Sequence, residues 1–359
     1  MSAQRPTLPI LDRRVRVALV GCGRIAKTHL AALAQHARHA ECVAVCDTDP
    51  VALAVADVGA SVSRYATFQA MLAHPGGIDL VVLATPSGLH ASQAMQAADA
   101  GVHVLSEKPM ATRWAEGLAM VSACHRAGVK LFVVKQNRLN PTLLKLKHAI
   151  DQQRFGRVAM VVVNVFWTRP QAYYDAAPWR GTWALDGGAF MNQASHYVDM
   201  VSWLLGPVAR VHARAATLVR NIEAEDTGVM SLELASGAFA SINVTMLTHG
   251  QNFEGSITVL GERGTVRIGG VAANTVEHWA FAEPRDEDQS IAASSYDTTS
   301  VYGHGHGGVY RQVLADLRGD KAQAVGAVHG DEGLKSLELL IAAYRSVREQ
   351  RSVDLPLER

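Results

Sequence analysis

Val15-Arg16-Val17-Ala18-Leu19-Val20-Gly21-Cys22-Gly23-Arg24-Ile25-Ala26 decides the fold of this chain. A mostly apolar run of strand length meets two glycines and passes into a helical pattern. Gly21-x-Gly23-x-x-Ala26 is a GxGxxA fingerprint, which is weak when it stands alone. Here it follows a strand and opens a helix, the context that gives it meaning. Gly21 and Gly23 permit a tight turn and close approach of backbone to a pyrophosphate. The helix that the fingerprint opens, over Ala26 to Gln35, would turn its N-terminus to the phosphate charge. The bland alternative is a glycine turn in an α/β protein that binds no nucleotide.

The alternation continues downstream. Apolar runs occupy Val15 to Val20, Glu41 to Cys46, Ile78 to Ala84, Val102 to Leu105 and Lys130 to Val134. Helix-length segments lie between them, among them Ala26 to Gln35, Ser87 to Ala100 and Arg113 to Ala127. Continuous apolar runs suit strands buried on both faces. Residues 15–137 therefore read as a doubly wound parallel sheet, a Rossmann domain, preceded by an N-terminal arm of residues 1–14. Ligands of such sheets bind beyond the carboxyl ends of the strands. Those ends carry Gly21, Asp47, Thr85-Pro86-Ser87, Glu107-Lys108-Pro109 and Lys135-Gln136-Asn137, which are expected to form one crevice. Asp47 can accept both ribose hydroxyls and would repel a 2′-phosphate, so NAD is favoured over NADP. It also suits the turn Asp47-Thr48-Asp49-Pro50, and both roles can hold together. His90, one turn after Ser87, either lines the crevice or sits on the helix surface.

After Asn140-Pro141 the pattern changes. A helix is predicted over Thr142–Gln152, a strand over Val158–Phe166 and a helix over Ala189–Leu205. Strands follow at about 208–220, 226–234, 238–247, 254–260 and 264–269, with hairpin turns at Ser236-Gly237 and Gly261-Glu262-Arg263-Gly264. Helices near 308–318 and 331–350 close the chain, and the polar stretch 283–300 reads as a surface loop. Strands in succession imply an antiparallel sheet, so residues 138–359 are expected to form an α+β domain with a large, mainly antiparallel open sheet.

The chemistry concentrates at two places. Lys108 stands at a strand end beside Pro109, which denies a helix there. Next to a positively charged nicotinamide its pKa would fall, and it could hold a reacting hydroxyl; the alternative is a solvated surface lysine. On the predicted helix Asn192, His196 and Asp199 fall at i, i+4 and i+7 and so share a face. His196 could take a hydroxyl proton as hydride leaves carbon. Asp199 either orients it or satisfies a buried polar network. Phe166-Trp167-Thr168-Arg169-Pro170-Gln171-Ala172-Tyr173-Tyr174 and Trp179-Arg180-Gly181 supply rings and guanidiniums that suit an anionic substrate, or form an aromatic packing loop. Tyr302-Gly303-His304-Gly305-His306-Gly307 tempts a metal reading, but no carboxylate or cysteine accompanies it at ligand spacing. A glycine loop closing on substrate reads better, and no metal is expected.

Composition sets the bounds. The 359 residues are 48% hydrophobic and 19% charged with formal net charge +1, as in an ordinary globular protein. Near-balance gives no footing for a nucleic-acid surface or a membrane patch. Met1 to Arg14 has no apolar core of a secretory signal, and no run is long enough to span a bilayer. Cys22, Cys42, Cys46 and Cys124 lack zinc spacing and read as reduced thiols in a cytoplasmic protein.

The glycine fingerprint, Glu107-Lys108-Pro109 and Gly187-Gly188 through His196 to Asp199 resemble, in order, the Gfo/Idh/MocA oxidoreductase family over nearly the whole chain. Longer strings are more specific. Lys135-Gln136-Asn137-Arg138, Phe166 to Pro170, Trp179 to Trp183, Gly187 to Asp199, Leu260 to Val266, Val271 and Ser300 to Gly303 resemble the branch that oxidises UDP-N-acetyl-2-amino-2-deoxy-D-glucuronate. The resemblance implies NAD-dependent oxidation of the sugar 3-hydroxyl to a 3-keto group. An aminotransferase would act next, toward bacterial surface polysaccharide (O-antigen). It implies a homotetramer, and Lys108 and His196 as the catalytic pair. Gly21, Gly23, Arg24, Ile25 and Asp47 would hold NAD, with Thr85, Pro86, Ser87, His90 and Glu107. Lys108, Gln136, Trp179 and Arg180 would complete that set. Substrate would meet Lys108, Arg169, Tyr173, Asn192, Gln193 and His196, with Tyr302 and His306 from the glycine loop. The family often carries Asp where this chain has Asn192, which shifts the role of base to His196. Two rivals stand beside this reading: a dehydrogenase of a free polyol or sugar such as an inositol, and a non-catalytic NAD-sensing regulator.

Overall fold

Val15–Val20 forms the first strand, β1, and is almost wholly buried. A computed structural model describes residues 8–298, 301 and 303–358. The helix Arg24–Ala34 (α1) follows, then β2 (Ala40–Cys46), α2 (Pro50–Ala54), β3 (Ser63–Tyr65) and α3 (Phe68–Leu72). Next come β4 (Leu80–Leu83), α4 (His90–Asp99), β5 (His103–Ser106), α5 (Trp114–Ala127) and β6 (Leu131–Val133). The six strands pair in parallel in the order β3-β2-β1-β4-β5-β6. The order reverses between β1 and β4, which makes their carboxyl ends the switch point of a doubly wound sheet. Helix α5 ends at Gly128 in the left-handed conformation, where glycine carries no side-chain penalty.

The chain divides into two units, and the first extends further than the strand pattern predicts. It runs to Lys135, not to 137, and takes in His306–Leu334 as well. The helix His306–Leu317 packs on α1, and Val133 donates its backbone N–H to Val328 at 2.8 Å. Residues 8–14 are not a loose arm: Ile10 donates to the Leu317 carbonyl at 3.0 Å and Arg13 pairs with Asp79.

The second unit holds Gln136–Gly305 and the chain from Lys335 onward. Its elements are α6 (Pro141–Asp151), β7 (Val158–Phe166), α7 (Gln171–Asp175), α8 (Ser195–Leu205), β8 (Val208–Ala216), β9 (Thr227–Leu234) and β10 (Phe239–Thr245). Strands β11 (Glu254–Gly261), β12 (Gly264–Gly269), β13 (Thr275–Phe281) and β14 (Val353–Asp354) complete a sheet in the order β13-β12-β11-β7-β10-β9-β8-β14. Every pairing is antiparallel except β7 with β10, so the sheet is mixed rather than uniformly antiparallel. Strict alternation in β9 buries Met230, Leu232 and Leu234 and exposes Val229, Ser231 and Glu233, so one face is covered.

Two expectations are corrected here. The stretch 283–300 contains a helical turn, Asp286–Ser294. Its Asp288 binds the buried Arg154 guanidinium at 2.6 and 2.8 Å, which ties the polar segment down. The predicted helix Ala189–Leu205 is broken. Ala189–Gln193 is one wide turn, closed by Ala194 N–H donating to Ala189 O at 2.8 Å, and α8 starts only at Ser195. Among the described residues no helix is long and apolar enough to cross a membrane.

Candidate active site

The carboxyl ends of the first unit's strands come together as predicted. Gly21 donates to Cys46 O, Ala84 to Val20 O, and Glu107 to Leu83 O, at 2.8–3.0 Å. Gly21 has φ +92°, and a methyl carbon there would lie 2.5 Å from Ala84 O, so only glycine lets β1 turn against β4. A side chain at Gly23, by contrast, would meet nothing within 4 Å. Gly23 is the N-cap of α1 and has no side chain with which to bond the first N–H groups of the helix, which leaves the cap itself open to an anion. Asp47 lies beside the turn: Oδ2 accepts Cys22 N–H at 2.7 Å and Oδ1 accepts Asp49 N–H at 2.9 Å. A carboxylate has about four lone-pair sites, so these two bonds leave it able to accept ribose hydroxyls. Glycine cradle, uncapped helix start and strand-end carboxylate together fit an NAD pyrophosphate and ribose.

Four of the predicted cofactor residues are held by the protein at the strand ends. His90 is buried, with its ring nitrogens 2.9 Å from Pro109 O and 2.9 Å from Thr85 O. It clamps two strand-end loops to each other and has no nitrogen left for a ligand. Glu107 is buried too. Its Oε2 accepts the Lys108 backbone N–H at 3.0 Å and its Oε1 lies 3.0 Å from His29 Nε2. The carboxylate therefore faces the protein interior, and Lys108 beside it is half-buried. Thr85 binds Gln93 through its hydroxyl at 2.6 Å, and Ser87 is buried at the start of a short turn after Pro86.

His306 gains a partner that spacing could not reveal. Its Nε2 stands 3.6 Å from Glu107 Oε1, beside His29, so a carboxylate does accompany the glycine-rich motif. Gly305 lies so close to the Gln136 carbonyl that a methyl group would overlap it. Close approach is one reason for glycine in that stretch. Tyr302 lies outside the described residues.

In the second unit the wide turn Ala189–Gln193 sits on a buried carboxylate. Glu225 Oε1 accepts Phe190 N–H at 2.8 Å and the Tyr344 hydroxyl at 2.8 Å, while Tyr344 Oη accepts Met191 N–H at 3.1 Å. Burial raises the Glu225 pKa to about 7, against the pull of these donors. Gly188 is required because a methyl group there would overlap the Glu225 side chain. Asn192 donates from Nδ2 to Asp186, whose other oxygen accepts Gly181 N–H at 2.7 Å. His196 is buried in the first turn of α8. The i, i+4, i+7 register does not carry across Ala194, because the wide turn precedes α8. Asp199 is gripped by Arg138 through two bonds of 2.7 and 2.8 Å, in a buried polar pair.

The arginine and aromatic residues do converge. Arg169 donates to Gln193 Oε1 at 3.0 Å and lies 5.5 Å from the Tyr173 ring centroid. Arg180 stacks over Tyr173 at 4.3 Å and over Trp179 at 5.4 Å. Gln193 reaches the Tyr173 hydroxyl at 3.4 Å. Two guanidiniums thus lie near one ring in the chain shortly before the wide turn Ala189–Gln193, an arrangement suited to anionic groups. Gln136 is buried, and among the described residues its Oε1 has no hydrogen-bond partner. His29, Asp186 and Glu225 went unpredicted: the partners of His29 and Glu225 lie far along the chain, whereas Asp186 bonds near neighbours beside Gly187-Gly188 and stood within reach of that motif; Arg138 stood in a quoted string without an assigned role.

Comparison with known proteins follows this geometry. Residues 15–135 match the oxidoreductase family, NAD-binding Rossmann fold, and residues 147–355 match the oxidoreductase family, C-terminal alpha/beta domain. The WlbA dehydrogenase from Bordetella pertussis, solved in complex with NADH and UDP-GlcNAcA, is 59% identical, with TM-score 0.93 over 98% of this chain and 100% of its own. The WlbA dehydrogenase from Chromobacterium violaceum, solved with the same two ligands, is 55% identical, with TM-score 0.92 over 99% of each chain. Inositol 2-dehydrogenase from Rhizobium meliloti is 30% identical over 95% of this chain and 99% of its own.

Proposed function

The chain belongs to the Gfo/Idh/MocA oxidoreductase family, and from that premise we propose that it oxidises the 3-hydroxyl of UDP-N-acetyl-2-amino-2-deoxy-D-glucuronate to the 3-keto sugar with NAD. The observation that carries the reading is the full-length likeness, at 59% and 55% identity, to two dehydrogenases solved with NADH and UDP-GlcNAcA. The inositol dehydrogenase, at 30%, supports the shared reaction class and not a neutral substrate. A non-catalytic NAD sensor would have no need of both Lys108 and His196.

NAD, when bound, supplies the hydride acceptor. Gly21, Gly23, Arg24 and Ile25 would hold its pyrophosphate, and Asp47 a ribose. Thr85, Pro86 and Ser87 would add contacts, as would Gln136, Trp179 and Arg180. Lys108 holds the 3-hydroxyl by a hydrogen bond. His196 accepts the hydroxyl proton as the C3 hydride departs, which balances the oxidation. Asn192, which cannot act as a base, would orient the sugar with Gln193, Tyr173 and Tyr302, while His306 is buried beside Glu107 rather than set against the sugar. Arg169 and Arg180 hold the carboxylate and diphosphate. The product ketone suits a following aminotransferase on the way to surface polysaccharide, in the cytoplasm. A homotetramer would use the exposed sheet face, where Met160, Val229 and Phe239 are 45–60% exposed.

The test is NAD reduction by the UDP-uronic acid, followed by absorbance, in the unaltered protein and in Lys108→Ala and His196→Ala. Turnover should fall by about 100-fold to 10,000-fold in each variant with NADH binding retained. Near-normal turnover in both would remove the pair from the mechanism.

A further inference from the structure

We propose that His29 and His306 are positioning residues for Lys108 and act through the buried carboxylate of Glu107; this rests on the reading that Lys108 holds the reacting hydroxyl. The carboxylate bridges three distant parts of the chain. Oε2 accepts the Lys108 backbone N–H at 3.0 Å, and Oε1 lies 3.0 Å from Nε2 of His29 on α1. The other nitrogen of His29, Nδ1, lies 3.1 Å from the Tyr310 hydroxyl. One neutral tautomer serves both contacts: Nε2–H donates to the carboxylate, and Nδ1 accepts from tyrosine. His306 opens the helix that also carries Tyr310. Its Nε2 is 3.6 Å from Oε1, longer than a hydrogen bond, and its ring meets that of His29 edge-on at 5.4 Å. All four side chains are buried.

Burial alone would raise the Glu107 pKa; the hydrogen bond from His29, with the His306 ring beside it, outweighs burial and holds it well below the usual carboxylate range. Burial pushes His29 down, so it stays neutral and serves as donor. A fixed anion therefore anchors the amide that carries Lys108, through bonds stronger than neutral ones. Among the described residues the titratable groups around Glu107 are His29, His306 and Tyr310, with His90 within electrostatic reach and the backbone of Lys108 bonded to it. His90 binds Pro109 O and so fixes the residue after Lys108.

The experiment compares Glu107→Gln, His29→Leu and His29→Gln with the unaltered full-length protein. It reads kcat, KM and NADH affinity across neutral to alkaline pH. Glu107→Gln and His29→Leu should lower kcat by about 10-fold to 100-fold through misplacement, with NADH affinity within about 3-fold. In Glu107→Gln the alkaline limb of kcat should move to lower pH, because Lys108 loses a neighbouring anion. His29→Gln keeps an amide donor and should recover part of the lost kcat. A lowered melting temperature with kcat and its pH limb unmoved would mean a purely structural cluster and overturn the proposal. Turnover retained by Lys108→Ala would instead overturn the reading beneath it. Should the variants not fold, nitrogen NMR of the unaltered protein decides: a neutral His29 ring protonated at Nε2 supports the proposal, and a cationic ring or the other tautomer defeats it. The three donor atoms lie within 4.8 Å of one another, so dialysis against EDTA is the last arm. Unchanged activity supports the relay, whereas a loss restored only by Zn2+ would make the cluster a metal site and overturn it.

Discussion

Replacing Gly188 with alanine drives a methyl group into the Glu225 side chain and to 2.6 Å from its backbone oxygen. The backbone itself is not the obstacle, since φ is −103°, which any residue adopts. The clash is with a side chain that cannot swing away freely. Glu225 is held by Phe190 N–H and the Tyr344 hydroxyl at 2.8 Å each, and its own carbonyl accepts Ala189 N–H at 2.8 Å. Overpacking in a buried site costs about 1–3 kcal/mol. If the carboxylate gives way, a buried donor left unsatisfied costs about 1–3 kcal/mol more. A loss of about 3 kcal/mol lowers Tm by about 6–12 °C in a unit of this size. The wide turn carrying Asn192 and leading to His196 must also shift, and misplacement near 1 Å can cost about 100-fold in turnover. Thermal melting and steady-state NAD reduction measure the two effects. Gly59→Ala is the control, because a methyl there meets nothing within 4 Å. Melting and turnover for Gly188→Ala indistinguishable from the control would refute the packing argument.

Three further outcomes are expected. The Glu225 pKa lies near 7, above its ordinary 4.5, so its stabilising effect is complete below about 4.5 and is lost as pH rises through 7. Glu225→Gln should then melt like the unaltered protein at acidic pH and gain stability at alkaline pH, by at most on the order of 3 kcal/mol; melting curves that stay parallel across pH would show that Glu225 does not titrate there. Asp47→Ala removes the ribose acceptor and the bonds to Cys22 and Asp49 N–H, so titration should show a narrower preference for NAD over NADP; equal affinity of the unaltered protein for both would defeat the assignment. Arg169→Ala should weaken binding of the UDP-uronic acid by about 2–5 kcal/mol and spare NADH, whereas Arg180→Ala should weaken both ligands, as read by calorimetry; equal affinity of the unaltered protein for UDP-N-acetylglucosamine would show that no carboxylate is read.

The first unit was legible because each of its signals is local. Five runs of buried residues, a glycine turn and an aspartate at the next strand end place themselves on one sheet without knowledge of what lies beyond. Val158–Phe166 was equally plain, yet its partners were not: pairing β7 in parallel with β10 depends on which strand enters the sheet between which others. The break at Ala194 escaped notice because Ala189–Leu205 is apolar on nearly every side, so its pattern cannot separate a wide turn from a regular one. Glu107 was read as a residue of the crevice because of its neighbour Lys108. Its side chain instead turns inward to His29, 78 positions away, a contact no spacing rule anticipates. Return of His306–Leu334 to the first unit belongs to the same class, long-range packing without a local mark.

The most direct test of the central claim is to identify the product. The unaltered protein is incubated with NAD and UDP-N-acetyl-2-amino-2-deoxy-D-glucuronate beside an aminotransferase or a carbonyl trap, so that an unfavourable equilibrium cannot hide the ketone. Mass spectrometry and NMR then locate the change on the ring. The account predicts loss of two hydrogens at C3, one NADH formed for each sugar, and no reaction when the carboxylate is absent. Oxidation at another carbon, or NADH formation from a neutral polyol and none from the UDP-uronic acid, would contradict it.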